Sequence, residues 1–383
     1  KEGIELFLEG YLEGYYGRLL SWKDRSILLK TLSQLEMNTY IYGPKEDPYH
    51  RIDWFKLYPD KELKNLKNFK KEATKLGITP YFSLSPGLSL KGDEELDLKK
   101  LKKKYAQLQS IGFKDFAIFF DDIESERDEG LGKMHGLVVK ELSEFLKKDS
   151  SSSLMFCPTV YCNSFANDNI SNSTYLKGLS ETVPNNLPML WTGKQVVSQY
   201  IDDQEIEELN KVISNPIVVW DNYYANDYCP TKFYIGSYRG RNITKKAIQG
   251  IGLNLTGLPM TDSIILHHLK GNMSTEKILK EFGVPLDFNA LIPFFDGPFE
   301  DLPQLNTLED IQNLINLSNE LCVKWKSPLQ LEWSPFLWDF FNQLHFLKKI
   351  ISGADKKTLE AWASRRYSGP LFKSIFIEKN EER

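Results

Sequence analysis

Short apolar runs alternate with longer amphipathic ones through the first three quarters of this chain, and that rhythm narrows its possible folds more than any other feature. The short runs are Ile4–Tyr11, Asn38–Tyr42, Thr79–Leu84, Phe116–Phe120, Leu154–Cys157, Pro188–Trp191, Ile217–Trp220 and Ile248–Leu253. Helical patterns lie between them. Ser21-Trp22-Lys23-Asp24 reads as a capping box closed by Asp, opening a helix through Leu28, Leu29, Leu32 and Leu35. Leu98, Leu101, Tyr105 and Leu108 share one helical face, which puts Lys99, Lys100, Lys102, Lys103 and Lys104 mostly on the outer one. Gly77 and Gly112 stand where helices should stop before the next strand. Strand–helix alternation without hairpin signals favours an α/β fold of the closed (β/α)8 TIM-barrel type over an open doubly wound sheet. No Gly-x-Gly-x-x-Gly follows the first strand, so a dinucleotide-binding fold has no support.

The character changes beyond Pro285. Residues 286–306 are rich in Pro, Phe, Asp and Gly and read as a linker or a trimmed junction. Helical patterns follow at Leu308–Trp325, Glu332–Ile351 and Asp355–Tyr367. The expected layout is a barrel over 1–285, the linker, and a stalk-like, all-α helical bundle over 307–383. Trp333, Phe336, Trp338, Phe340 and Phe341 crowd that last segment, a large aromatic surface for a small domain to bury alone. A homodimer through the helical region is the expectation.

A barrel gathers whatever follows its strands around one mouth. Here that means Glu13-Gly14-Tyr15-Tyr16-Gly17-Arg18, Gly43-Pro44-Lys45-Glu46-Asp47, Asp121-Asp122, Pro158-Thr159-Val160-Tyr161, Trp191-Thr192-Gly193, Trp220 to Asp227, and Asn254. Acids and amides suit sugar hydroxyls, and aromatic rings suit a sugar's apolar face. Clustered Asp could instead hold a divalent cation, which fits the amides and Trp less well. His50 is the lone histidine of these segments, so a Ser–His mechanism is poorly supported. The run Phe116 to Ile123 carries the most chemistry, because an apolar strand ends there in two adjacent carboxylates. A two-carboxylate glycosidase places its pair on opposite sides of the scissile bond. Neighbours on one strand end cannot straddle a sugar easily, but they can take two roles on the same side. Strand ends often carry acids merely to cap the next helix, and that reading stands beside the catalytic one.

Composition excludes more than it assigns. Lys+Arg 48 against Asp+Glu 52 gives a net charge of −4, so nucleic acid is not an expected partner. No apolar run is long enough to span a membrane. Cys157, Cys162, Cys229 and Cys322 make neither a dense disulfide framework nor a zinc site, which suits reduced thiols inside a cell. Sequons at Asn169, Asn172, Asn242, Asn254, Asn272 and Asn316 pull the other way, toward secretion, though such matches arise by chance in an Asn-rich chain. The chain begins at Lys1 without Met or leader and reads as a trimmed piece.

Long ordered motifs then carry a resemblance: Glu13 to Arg18, Asn38 to Asp47, Ser85-Pro-Gly87, Phe119 to Ile123, Phe156 to Cys162, Leu190-Trp-Thr-Gly193 and Trp220 to Asp227. Along residues 4–270 the chain resembles the family 84 glycoside hydrolases, in particular their animal-type O-GlcNAcase branch. Gly43 stands where that family often has Ala, and Tyr15 where it often has Phe. The resemblance implies a retaining hydrolase that removes β-N-acetylglucosamine from Ser/Thr of proteins through an oxazoline intermediate, in the cytoplasm and nucleus. It implies Asp122 as general acid then base, Asp121 orienting the substrate's 2-acetamido group, and Tyr161 bonding that group. Gly14, Lys45, Asp221, Asn222, Asp227 and Asn254 would contact the sugar, and Trp220 would wall the pocket. It implies no metal and no organic cofactor. An enzyme acting on extracellular glycans and a non-catalytic sugar-binding module are the alternatives.

Overall fold

In the computed structural model, which describes residues 7–90, 94–149, 151–229, 231–271, 273–305, 307–353 and 357, eight parallel strands close into a barrel. They are β1 (Leu8–Glu13), β2 (Thr39–Tyr42), β3 (Thr79–Leu84), β4 (Asp115–Phe119), β5 (Ser153–Cys157), β6 (Met189–Trp191), β7 (Ile217–Asp221) and β8 (Gly250–Asn254). Each pairs with its neighbour in sequence, and β8 returns to β1 with Leu8 opposite Gly250 and Leu12 opposite Asn254. Leu12, Ile41, Ala117, Phe119, Met155, Cys157, Leu190, Val218 and Trp220 fill the interior as one apolar cluster. The fold is a (β/α)8 barrel.

All eight expected strands form, with shifted ends. β1, β7 and β8 run on into Glu13, Asp221 and Asn254, which the apolar pattern had placed at or past the strand ends. Ladder pairing depends on the backbone and continues into polar residues wherever the neighbouring strand supplies partners. The capping box is present: Ser21 Oγ accepts from Asp24 N–H, and the Asp24 carboxylate accepts from Ser21 N–H. The lysine run differs from expectation at one position. Lys104 is buried, donates to the Lys56 carbonyl and lies 4.0 Å from the Tyr58 ring centre. Burial lowers its ammonium to about 7. A two-stranded ribbon, Ile201–Asp202 with Arg241–Asn242, was too short to leave a pattern.

Contacts divide the chain into two units, 1–223 with 239–257 and 224–238 with 258–383, rather than at the expected boundary near 285. In the second unit the helices Pro259–Leu269, Thr275–Glu281, Leu308–Val323 and Pro328–Ile351 surround a core that includes Phe233, Phe288, Phe295, Trp333, Phe336 and Phe340. Much of the expected linker belongs to that core. Residues 286–294 form two 3-10 turns, and Phe288, Leu291, Phe294 and Phe295 are buried. Glu332 caps the helix at Pro259, accepting from Met260 N–H, Thr261 N–H and Thr261 Oγ at 2.8–3.0 Å. The expected helix Asp355–Tyr367 lies, apart from Lys357, outside the described residues.

Candidate active site at the barrel mouth

The carboxyl end of β4 delivers Asp121 and Asp122 to the barrel mouth, and their surroundings differ. Asp121 is buried, ion-paired with Lys45 from the segment after β2, with Ser85 Oγ at 3.4 Å from the segment after β3. Asp122 is exposed and sits in the left-handed region at φ 52°. Its Oδ2 accepts from the Tyr16 hydroxyl at 2.8 Å and its Oδ1 from the Tyr161 hydroxyl at 2.6 Å. Side chains in an extended strand alternate faces. The left-handed turn breaks that alternation and gives each carboxylate its own set of partners. Burial and the two carboxylates hold the Tyr16 and Tyr161 hydroxyls well above the ordinary tyrosine range, so both remain protonated donors.

The backbone before the pair is fastened from behind. Thr159 Oγ donates to the Phe120 carbonyl at 2.8 Å, and Thr159 N–H bonds the Tyr175 hydroxyl at 3.0 Å. That hydroxyl meets His135 Nδ1 at 2.9 Å, and the His135 ring stacks on Phe120 at 4.0 Å. Burial pushes His135 down to about 3, so the ring is neutral and packs as an aromatic. His50 is neutral for the same reason: it too falls to about 3, with Nδ1 on the Ser83 carbonyl at 2.9 Å.

Across the mouth four of the expected residues form one network. Gly14 N–H donates to Asn254 Oδ1 at 3.0 Å, and Asn254 Nδ2 donates to Asn222 Oδ1 at 2.8 Å. Trp220 Nε1 donates to the same Asn222 oxygen at 2.9 Å, while Asn222 Nδ2 is tied to the Val196 carbonyl at 2.7 Å. A Cβ on Gly14 would lie 2.4 Å from the Trp220 ring, so only glycine lets the β1 end approach that wall. Lys45 Nζ sits 5.6 Å from the ring centres of Phe119 and Trp220, which joins the two halves of the site. Asn254 is buried within this network, so its sequon is closed to a glycan.

Two expected residues behave differently. Asp221 is gripped by Arg241, from Nε at 2.7 Å and Nη2 at 2.6 Å, and also accepts from Tyr223 N–H at 2.9 Å. Its carboxylate braces the chain after β7. Asp227 belongs to the second unit, where its Oδ1 accepts from Tyr228 N–H. Sequence reasoning passed over Tyr16, Arg51 and Ser85. The first and last lie inside motifs that were noticed, but Arg51 had no periodicity or motif to mark it.

A family model described as beta-N-acetylglucosaminidase matches residues 9–269. The chain belongs to the β-N-acetylglucosaminidase family. The protein O-GlcNAcases of Mus musculus and Rattus norvegicus are each 34% identical over 247 residues, covering 63% of this chain. Only 27% of either relative's length is spanned. A mutant O-GlcNAc hydrolase of Thermobaculum terrenum superposes with a TM-score of 0.78 at 24% identity, covering 90% of this chain and 84% of its own. That structure supports the fold. Within the β-N-acetylglucosaminidase match lie both acids and every residue of the Gly14–Asn254 network.

Proposed function

We propose that this chain is a retaining β-N-acetylglucosaminidase that removes N-acetylglucosamine from Ser/Thr of proteins, using the substrate's own acetamido group as nucleophile. The observation that carries this reading is the adjacent pair Asp121 and Asp122 on one strand end, held by separate partners. Asp122, exposed, protonates the glycosidic oxygen as the bond to the anomeric carbon breaks. Asp121, buried against Lys45, accepts the acetamido N–H and turns the carbonyl oxygen onto that carbon, forming an oxazoline. Asp122, now ionised, takes a proton from water as the water opens the oxazoline, so configuration is retained. This is one of the exceptions to the scheme of two opposed carboxylates. Gly14, Asn222, Asn254 and Lys45 supply donors and acceptors for sugar hydroxyls, and Trp220 supplies an apolar wall. Asp221 supports the wall through Arg241.

The 34% identity to protein O-GlcNAcases supports protein-linked sugar over free glycans. Four cysteines without a disulfide suit the cytoplasm or nucleus, and among the described residues no helix is long and apolar enough to cross a membrane. The test is turnover of an aryl N-acetylglucosaminide and of a glycosylated Ser peptide, followed by proton NMR of the first-formed sugar. The β-anomer from both substrates is expected. The α-anomer would overturn the mechanism, and turnover of neither would leave a sugar-binding module.

A further inference from the structure

Beyond the two acids, the mouth holds a linkage that the mechanism above does not use. Tyr16, from the segment after β1, donates to Asp122 Oδ2 at 2.8 Å. Arg51, from the segment after β2, donates through Nη1 to the Tyr16 oxygen and through Nη2 to the Asp122 backbone carbonyl at 3.1 Å. One guanidinium therefore holds both the tyrosine and the left-handed backbone that aims the acid. We propose that Tyr16 and Arg51 are positioning residues that latch the ionised Asp122 carboxylate and release it when the carboxyl carries the proton it must deliver. The proposal rests on Asp122 acting as acid and base.

The direction of the bonds supplies the reason. An ionised carboxylate only accepts hydrogen bonds, and here each oxygen has a tyrosine donor. Arg51 has no acceptor capacity, so it occupies the accepting side of the Tyr16 oxygen and leaves the hydroxyl proton aimed at Asp122. A protonated Asp122 that presents its O–H to a leaving oxygen must free one of its own oxygens. Tyr161 is 6% exposed and packs edge-on against Phe165, whereas Tyr16 is 38% exposed. Tyr16 is the donor that can leave. The other groups facing the acid are fixed or neutral: Asp121 is paired with Lys45, and burial raises the Cys157 thiol well above its usual range.

The test compares wild type, Tyr16→Phe and Arg51→Lys on two aryl N-acetylglucosaminides, one with an acidic phenol and one with a poor leaving group, across pH. General acid catalysis is at stake only for the poor leaving group. Tyr16→Phe should therefore lower kcat/KM about 10-fold there and less than about 3-fold for the acidic phenol. A donor that binds the ionised form disfavours protonation, so its loss should also move the basic limb of the profile to higher pH. Arg51→Lys keeps the charge without the two-pronged contact and should fall between. It serves as the test on its own if Tyr16→Phe does not fold. Equal losses for both substrates at every pH, with the limb unmoved, would overturn the latch while leaving the hydrolase reading intact. Carbon NMR titration of the Asp122 carboxyl in labelled protein gives a readout independent of turnover. If wild type hydrolyses neither substrate but Tyr16→Phe shifts that titration upward, the latch stands and the assignment of Asp122 as catalyst falls. An unshifted titration overturns the latch.

Discussion

At the scale of single residues, Asp121 and Asp122 should fail differently when neutralised. Asp122→Asn keeps a side chain that tolerates the left-handed backbone but cannot give a proton. Turnover of a substrate with a poor leaving group should fall by about 10²–10⁴, and an acidic phenol should recover at least about 10-fold of that loss. Asp121→Asn weakens acetamido attack whatever the leaving group, so its loss should be flat across a leaving-group series. A plot of log kcat/KM against phenol acidity for both variants checks this, and parallel lines would refute the division of roles. The acidic pair was legible in the sequence because an apolar strand that ends in two carboxylates is a local pattern. Tyr16 was inside a noticed motif without a role, and Arg51 was invisible. Their meaning arises only where the segments after β1, β2, β4 and β5 meet, and no spacing along one segment encodes that meeting. Asp221 shows the converse. Its partner Arg241 was hidden because the ribbon strand Arg241–Asn242 is too short to leave a pattern.

At the scale of elements, the helix Asp203–Asn210 leans on β6 through a buried carboxyl. Glu205 Oε1 accepts from Trp191 Nε1 at 3.2 Å, while Oε2 has no hydrogen-bond partner among the described residues. Burial raises Glu205 to about 7. The folded state then binds a proton that the unfolded state releases above about 4.3. Stability from this group is complete below the unfolded value and is lost as pH rises through the folded one. Glu205→Gln should therefore be more stable than wild type at pH 8 by about 1–3 kcal/mol, with the difference shrinking toward pH 5. Urea melts at the two pH values check it. The elements themselves were largely readable, since eight strands stood where apolar runs ended in polar residues. Strand ends were not, because backbone pairing outlasts the hydrophobic pattern. The turns at 286–294 were missed because Pro, Gly and Asp mark loops whether or not the intervening Phe side chains are buried.

At the scale of the molecule, the aromatic surplus that suggested a dimer is mostly spent internally: Trp333, Phe336 and Phe340 are buried in their own unit. What remains on the helix Pro328–Ile351 is a stripe holding Leu331, 72% exposed, and Trp338, 39% exposed, two turns apart on one face. We propose that the homodimer expected from the sequence forms through that stripe. Leu331→Glu with Trp338→Glu should change unfolding free energy by less than about 1 kcal/mol while halving the mass seen by light scattering at micromolar concentration. A wild-type monomer under those conditions refutes the dimer. The bond from Gly14 N–H to Asn254 Oδ1 joins the first strand of the barrel to the last. The network that joins Gly14, Asn254 and Asn222 is thus incomplete until β8 has emerged and closed the ring, however early the acids on β4 are synthesised. A fragment that keeps both aspartates but stops before Asn254 should therefore show no turnover, and as an open sheet with two bare edges it should aggregate.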